Sequence, residues 1–234
     1  MTFGGLILLI DTATTRAVIA LGMPDGALVE QRTWLAGYRH GEELLARIDD
    51  LLTGRGLATA AIGAIAVGTG PGAFTGLRVG IATAKGLAHA LSVPIVGVPS
   101  GIALLDAAGA ANPDPGSLVL LQPAGPNDRV LTRRGEPPSI LPGGTDPGLR
   151  DGERLVAVDL AGRADDGAVA LGERAIGGLA AAILSSAAGR LAADDADDLA
   201  TLVPEYVTLP RGVRMPPTDA GVEVTGSTAG EGRA

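Results

Sequence analysis

The chain has no cysteine among its 234 residues. Disulfides, thiolate nucleophiles and thiolate metal sites are therefore excluded. Aromatic side chains are scarce, with two Phe, two Tyr and one Trp. That is too few for the stacking platform on which proteins hold single-stranded nucleic acid. Positive charge is also short: 18 Lys and Arg face 26 Asp and Glu, for a net charge of −8. The imbalance lies wholly in the second part. Residues 1–100 carry seven basic and seven acidic side chains, whereas 101–234 carry eleven and nineteen. Without a basic patch, any contact with nucleic acid is expected to run through a partner. The two histidines, His40 and His89, are far apart and have no acidic motif beside them, which argues against a metal centre or a charge-relay triad. Ser100 lacks the Gly-x-Ser-x-Gly setting of a hydrolase nucleophile. No run of eighteen apolar residues is present, so no membrane span is expected. The apolar run at 6–10 is too short for a secretory leader and ends at Asp11, so a cytoplasmic location is expected.

What the chain has in quantity is glycine at one place. Gly68, Gly70, Gly72, Gly76 and Gly80 fall within thirteen residues, between the apolar run 62–67 and a helical stretch at 77–91. Such density means that a ligand or another backbone approaches closely, or that several residues need positive φ. The loop is not a P-loop, because no Gly-Lys-Ser/Thr closes it, and it is not the dinucleotide fingerprint. Thr75 is placed to cap the helix that follows. Further upstream, Asp11-Thr-Ala-Thr14 ends a continuous apolar run of the kind buried on both faces of a sheet. An acid with small hydroxyl residues at a strand end suits a hydrated metal and phosphates. It equally suits an Asx or Ser/Thr turn that bonds its own backbone.

Periodicity supplies the rest. Strands are predicted at 6–10, 18–22, 28–34, 62–67, 94–98 and 155–160, with a hairpin from 118–122 to 129–133. Helices are predicted at 40–52, 77–91, 100–108 and 176–191. On helix 40–52, Leu44, Leu45, Ile48, Leu51 and Leu52 share one face. On helix 77–91, Leu77, Ile81, Ala84, Ala88 and Leu91 form an apolar face for the sheet. Val79, Ala82, Gly86 and Ala90 form a second face, a groove of small residues. A helix apolar on two sides is covered twice, here by helix 40–52 or by another subunit. The run Asp194-Asp-Ala-Asp-Asp198 lacks the glycine and distal glutamate of a calcium loop and reads as a solvated charge cluster.

Ile7-Leu-Leu-Ile-Asp-Thr-Ala-Thr14, His40-Gly-Glu-Glu-Leu-Leu45, Gly70-Pro-Gly-Ala-Phe-Thr-Gly-Leu-Arg78, Lys85-Gly-Leu-Ala88 and Val96-Gly-Val-Pro-Ser100 resemble the bacterial TsaB (YeaZ) family. That family is the accessory subunit of the tRNA threonylcarbamoyladenosine machinery. The likeness covers about the first 105 residues, with a weaker echo at Pro204-Glu-Tyr206. It implies an α/β fold of two actin-like, sugar-kinase-like lobes, at 1–108 and 109–209, the second reduced, followed by a disordered tail at 210–234. It implies a pseudoenzyme without cofactor or metal, which scaffolds a TsaD-type threonylcarbamoyltransferase, with a TsaE-type ATPase and a homodimer as further associations. tRNA is then met only indirectly. The implied docking residues are His40, Leu44, Ile48, Val79, Ala82, Thr83, Gly86 and Ala90. A vestigial phosphate loop would comprise Asp11, Thr12, Thr14, Gly70, Gly72, Thr75 and Gly76. The alternative is a true ATP-dependent phosphotransferase or ATPase using Asp11 and the 68–76 loop. Two departures matter. Leu121-Gln-Pro-Ala124 stands where the family carries Asp-Ala-Arg, and Ala13 replaces the glycine of the kinase-like Asp-x-Gly-Thr pattern. Gly177-Gly178 is a weak match to a pair facing adenosine.

Overall fold

Strand β1 (Leu6–Asp11) is apolar without interruption because both of its faces are covered. Ile7 and Leu9 point to one core, and Leu8 and Ile10 to another. The computed structural model describes residues 4–36, 40–111 and 117–207, with the backbone alone for 40–42. Around β1 lie β2 (Arg16–Gly22), β3 (Leu28–Leu35), β4 (Ile62–Gly68) and β5 (Ile95–Val98), in the order β3-β2-β1-β4-β5. β2 and β3 run antiparallel as a meander, while β4 and β5 run parallel to β1. Helices α1 (His40–Thr53), α2 (Phe74–Leu91) and α3 (Ser100–Ala110) fill the connections.

The second sheet repeats this wiring on a smaller scale. β6 (Ser117–Ala124), β7 (Asp128–Thr132) and β8 (Ser139–Leu141) form a meander, and β9 (Glu153–Ala157) returns parallel to β6, giving the order β8-β7-β6-β9. The two sheets thus share one wiring, a meander closed by a strand parallel to its first. Between β8 and β9, where the first lobe has α1, the second has only turns and irregular backbone. Val119, Leu121 and Leu131 on the outer face of that sheet are covered by Leu141, Leu155, Leu160 and Ala164 and by the start of helix α4 (Asp166–Ala192).

α4 joins the lobes. Asp165 caps it by accepting the Ala168 N–H, and the helix then runs for 27 residues from β9 to the face of the first sheet. Leu171, Ala175, Leu179, Ile183 and Ala187 enter the same core as Ile7, Leu9, Ala66 and Val98 of the first sheet and Leu120 and Val156 of the second. It begins ten residues before the predicted start at 176, because the buried positions there are mostly alanine and glycine (Ala168, Gly172, Ala175, with Leu171) and give little hydropathy contrast. α4 is long and apolar enough to cross a membrane by length and composition alone, and half of its most apolar stretch is buried inside the protein. Two side-chain latches reinforce the junction. Thr15 donates to Asp159 through its backbone N–H at 2.7 Å and its hydroxyl at 2.6 Å, and Arg16 pairs with Glu173 at 2.6 Å.

After α4 the chain returns to the first sheet as a strap. Asp197 bridges to Ile95, accepts the Gly97 N–H at 2.7 Å and pairs with Arg190. The acidic cluster is thus a clasp on β5 and not merely a solvated group, and it occupies an edge that would otherwise be open to pairing. The tail predicted at 210–234 lies outside the described residues. So does the side chain of His40.

Gly172 is where α4 meets β9, and a Cβ there would lie inside contact distance of the Ala157 carbonyl. Gly172→Val is expected to cost about 1–3 kcal/mol by forcing the helix off the sheet. Gly177→Ala, in the same helix but with open space around it, should gain roughly 0.5–1 kcal/mol. Urea midpoints of the two variants, moving in opposite directions, check this.

Candidate functional site

The glycines of the 68–76 loop admit backbone and side chains of the same molecule. A Cβ on Gly68 would run into the Asp11 carboxylate, one on Gly72 into the Ala13 carbonyl, and one on Gly80 into the Thr12 hydroxyl. The space is taken by bonds. Ala73 N–H donates to the Ala13 carbonyl at 2.8 Å, the Thr12 hydroxyl donates to the Gly76 carbonyl at 2.8 Å, and Gly101 N–H donates to the Gly70 carbonyl at 3.2 Å. Gly70, at φ +103°, is the one loop position whose backbone itself calls for glycine. Of the two readings of this loop, close approach by another backbone is the one realised.

Asp11 ties the arrangement together. It is fully buried, and its carboxylate accepts the Ser100 hydroxyl at 2.5 Å and the Ala13 N–H at 3.0 Å. Ser100 Oγ in turn accepts the Gly70 N–H at 3.2 Å. Burial pushes the Asp11 carboxyl above the usual range, against the downward pull of those two donors. Thr12 and Thr14 are buried as well, Thr14 donating to the Arg16 carbonyl at 2.7 Å. Asp11, Thr12 and Thr14 therefore face inward as a turn, and among the described residues no group of three or more His, Asp or Glu could hold a metal ion. Thr75 is exposed but is not the cap. α2 begins at Phe74, and Ala73 precedes it without a capping side chain.

A cleft of about 640 Å³ lies between this loop and the β6–β7 turn. Pro71, Phe74, Gln122, Pro123, Asp128 and Tyr206 line it, together with Asp159 and Glu205. Among the described residues no lysine or arginine lines it, so a polyphosphate entering it would meet the carboxylates of Asp128, Asp159 and Glu205. The strap forms one wall. Glu205 N–H donates to the Thr69 carbonyl at 2.8 Å, and the Tyr206 ring sits 5.1 Å from that of Phe74. Sequence reasoning missed Glu205 and Tyr206 as cleft residues. Their only signal was the Pro204-Glu-Tyr206 echo.

The other feature is the outer face of α2. Leu77, Ile81, Ala84 and Ala88 are buried against the sheet. Ala82, Gly86, His89 and Ala90 are exposed, with nothing within 4 Å of a Cβ placed on Gly86. Val79 and Thr83 are half-buried, and Val79 packs on the core shared by α1 and α2. Lys85 donates to the Leu202 carbonyl at 3.2 Å and so fastens the strap. Leu44 and Ile48 need correction. They are 1% and 4% exposed and point into the core with Leu8 and Ile65, so they support α1 from inside and offer no surface. α1 leaves the 82–86–90 strip open. Gly177 and Gly178 lie mid-helix in α4, Gly178 close against Ala107, away from the cleft.

A family model for TsaD, the tRNA N6-adenosine threonylcarbamoyltransferase, matches residues 34–136. The Escherichia coli K12 protein TsaB is 42% identical over 92 residues, 39% of this chain and 39% of its own length. Bacillus subtilis TsaB is 36% identical over 94 residues, 40% of this chain and 41% of its own. Over that stretch the chain is similar in sequence to TsaB proteins. The alignments span about two fifths of the length of these curated TsaB proteins. The structure of YeaZ from Pseudomonas aeruginosa superposes with a TM-score of 0.63 and 24% identity, covering 86% of this chain and 99% of that one. The likeness in fold thus covers more of the chain than the sequence alignments do.

Ser100→Ala removes a donor from a buried carboxylate and should cost about 1–3 kcal/mol at neutral pH. The folded-state pKa of Asp11 lies above its unfolded value, so the ionised form is the penalised one. That penalty is present above the folded pKa and disappears as the pH falls towards the unfolded value. The deficit of Ser100→Ala should therefore shrink on acidification. Thermal midpoints of both proteins in mildly alkaline and mildly acidic buffer test it, and a deficit that grows on acidification would contradict the assignment.

Proposed function

We propose that this chain is a non-catalytic accessory subunit in threonylcarbamoyladenosine modification of tRNA. It docks a TsaD-type threonylcarbamoyltransferase through the outer face of α2. The observation that carries the reading is the exposed strip Ala82, Gly86 and Ala90 on a helix whose opposite side is fully packed. Small side chains let a second helix approach to backbone distance, so dispersion contacts accumulate over a short length. Arg78 and His89, both exposed, flank the strip and supply polar contacts at its rim. Binding of this kind stabilises the partner's competent state by mass action and needs no chemistry from the subunit itself.

The glycine loop supports the same reading from the other side. A phosphate-holding loop needs free N–H groups and an accessible acid for the metal. Here the Ala73 N–H is committed to Ala13, the Gly70 N–H to Ser100, and Asp11 is sealed. A TsaE-type ATPase is a further partner of the assembly, and tRNA is contacted through the catalytic subunit.

Gly86→Trp and Ala82→Arg are expected to leave the thermal midpoint near that of the parent and to weaken binding to the TsaD protein of the same genome by about thirtyfold or more. Co-purification and a titrated Kd read this. Normal affinity in both variants would move the docking face elsewhere. Isothermal titration with Mg-ATP should give no heat for the isolated chain. Micromolar binding abolished by Asp11→Ala would instead favour an ATPase or phosphotransferase.

A further inference from the structure

The cleft between the lobes has the volume of a small-molecule site, and its chemistry has a direction. Asp128, Asp159 and Glu205 line it with no basic residue among them. Asp159 is engaged, because both its oxygens accept from Thr15. Glu205 is different. Its backbone is fixed to Thr69, yet desolvation is the sole influence on its carboxylate, which is pushed above the usual range with no donor or cation paired to it among the described residues. Gln122, from β6, is 2% exposed, and its Oε1 has no hydrogen-bond partner. Acceptors held out of water without a donor are costly. Gln122 Oε1 is such an acceptor, and beside it and the ring pair Phe74 and Tyr206 the half-buried Glu205 offers a carboxylate unpaired among the described residues. Phe74 already carries a guanidinium, that of Arg78, at 5.2 Å from its centroid, and Arg78 is not among the cleft's lining residues.

The missing complement is a group with several N–H donors, positive charge and a short apolar body. We propose that this cleft binds a small organic cation, a primary ammonium or guanidinium, with Glu205 and Gln122 accepting its hydrogen bonds and Phe74 and Tyr206 packing on its carbon chain. Asp128 adds long-range attraction from the β6–β7 turn. The site is thus inverted in charge relative to a nucleotide cleft. It is independent of the α2 docking face, and either can fail without the other.

Agmatine carries both cationic groups on a four-carbon chain and is the probe, with 1,4-butanediol as a neutral analogue of the chain. Calorimetric titration of the full-length protein at neutral pH should give a saturable isotherm for agmatine and none for the diol. Glu205→Gln should weaken agmatine at least tenfold, and Gln122→Leu should weaken it by a smaller factor. Asp106→Asn, which removes a carboxylate on α3 paired with Arg134 and outside the cleft lining, should leave affinity unchanged. Equal binding of the diol, an unchanged affinity in Glu205→Gln, or no agmatine binding at millimolar concentration would each overturn the proposal. Unchanged thermal midpoints for the two cleft variants separate loss of the site from loss of the fold.

Discussion

The contact on which the structure depends is the meeting of β1's end with the glycine loop. Asp11, Ser100 and Gly70 form one buried chain of hydrogen bonds that links the first strand, the first turn of α3 and the loop before α2. Glycine is required there because the partners are backbone carbonyls and a carboxylate, which cannot give way as a flexible side chain can. The same contact fixes the direction in which α2 leaves the sheet. The exposed strip on α2 therefore takes its position from this knot.

A buried carboxylate is an expensive way to make a knot, and the structure offsets it by two means. Two donors meet the charge directly, and burial raises the pKa, so that the neutral acid is within reach as the pH falls. The second lobe holds its own charge differently. Glu153 lies beneath Arg133 in a two-bond pair, and the guanidinium draws its carboxyl down to about 2. Because the second sheet has turns in place of a helix on its outer side, polar pairs of this kind replace apolar packing over the 142–152 stretch.

The first lobe was legible because its elements alternate sharply between apolar runs and turns. β1, β4 and the buried face of α2 follow directly from spacing, whereas the second face of α2, expected to be covered by helix 40–52 or by another subunit, is left open at Ala82, Gly86 and Ala90. Three things were hidden for physical reasons. The first ten residues of α4 bury Ala168, Leu171, Gly172 and Ala175 at helical spacing, but three of these four are alanine or glycine and give little hydropathy contrast. The strap at 194–207 has no period at all. It is held by single bonds from Asp197, Leu202 and Glu205, each of which reads as surface in the sequence. The role of the glycines was undecidable from spacing, since a phosphate and a carbonyl ask the same thing of a loop, an absent Cβ. Leu44 and Ile48 were assigned outward because the helical face that packs inward is also the face that looks sticky.

The two lobes share wiring but not investment. In the first, both sheet faces are covered by helices, and the remaining exposed apolar strip is narrow and made of small residues. In the second, one face is fused to the first lobe through α4 and the other is closed by irregular backbone. A hinge that opened and closed around a ligand would need the lobes to part, and α4 stands against that. It enters a single core fed by both sheets, so separation would expose Leu171, Leu179 and Ile183 together. At about 25 cal/mol per Å² of apolar surface, exposing three large side chains costs several kcal/mol, more than a modest ligand returns. The architecture therefore favours a rigid body with a fixed face over a machine that closes.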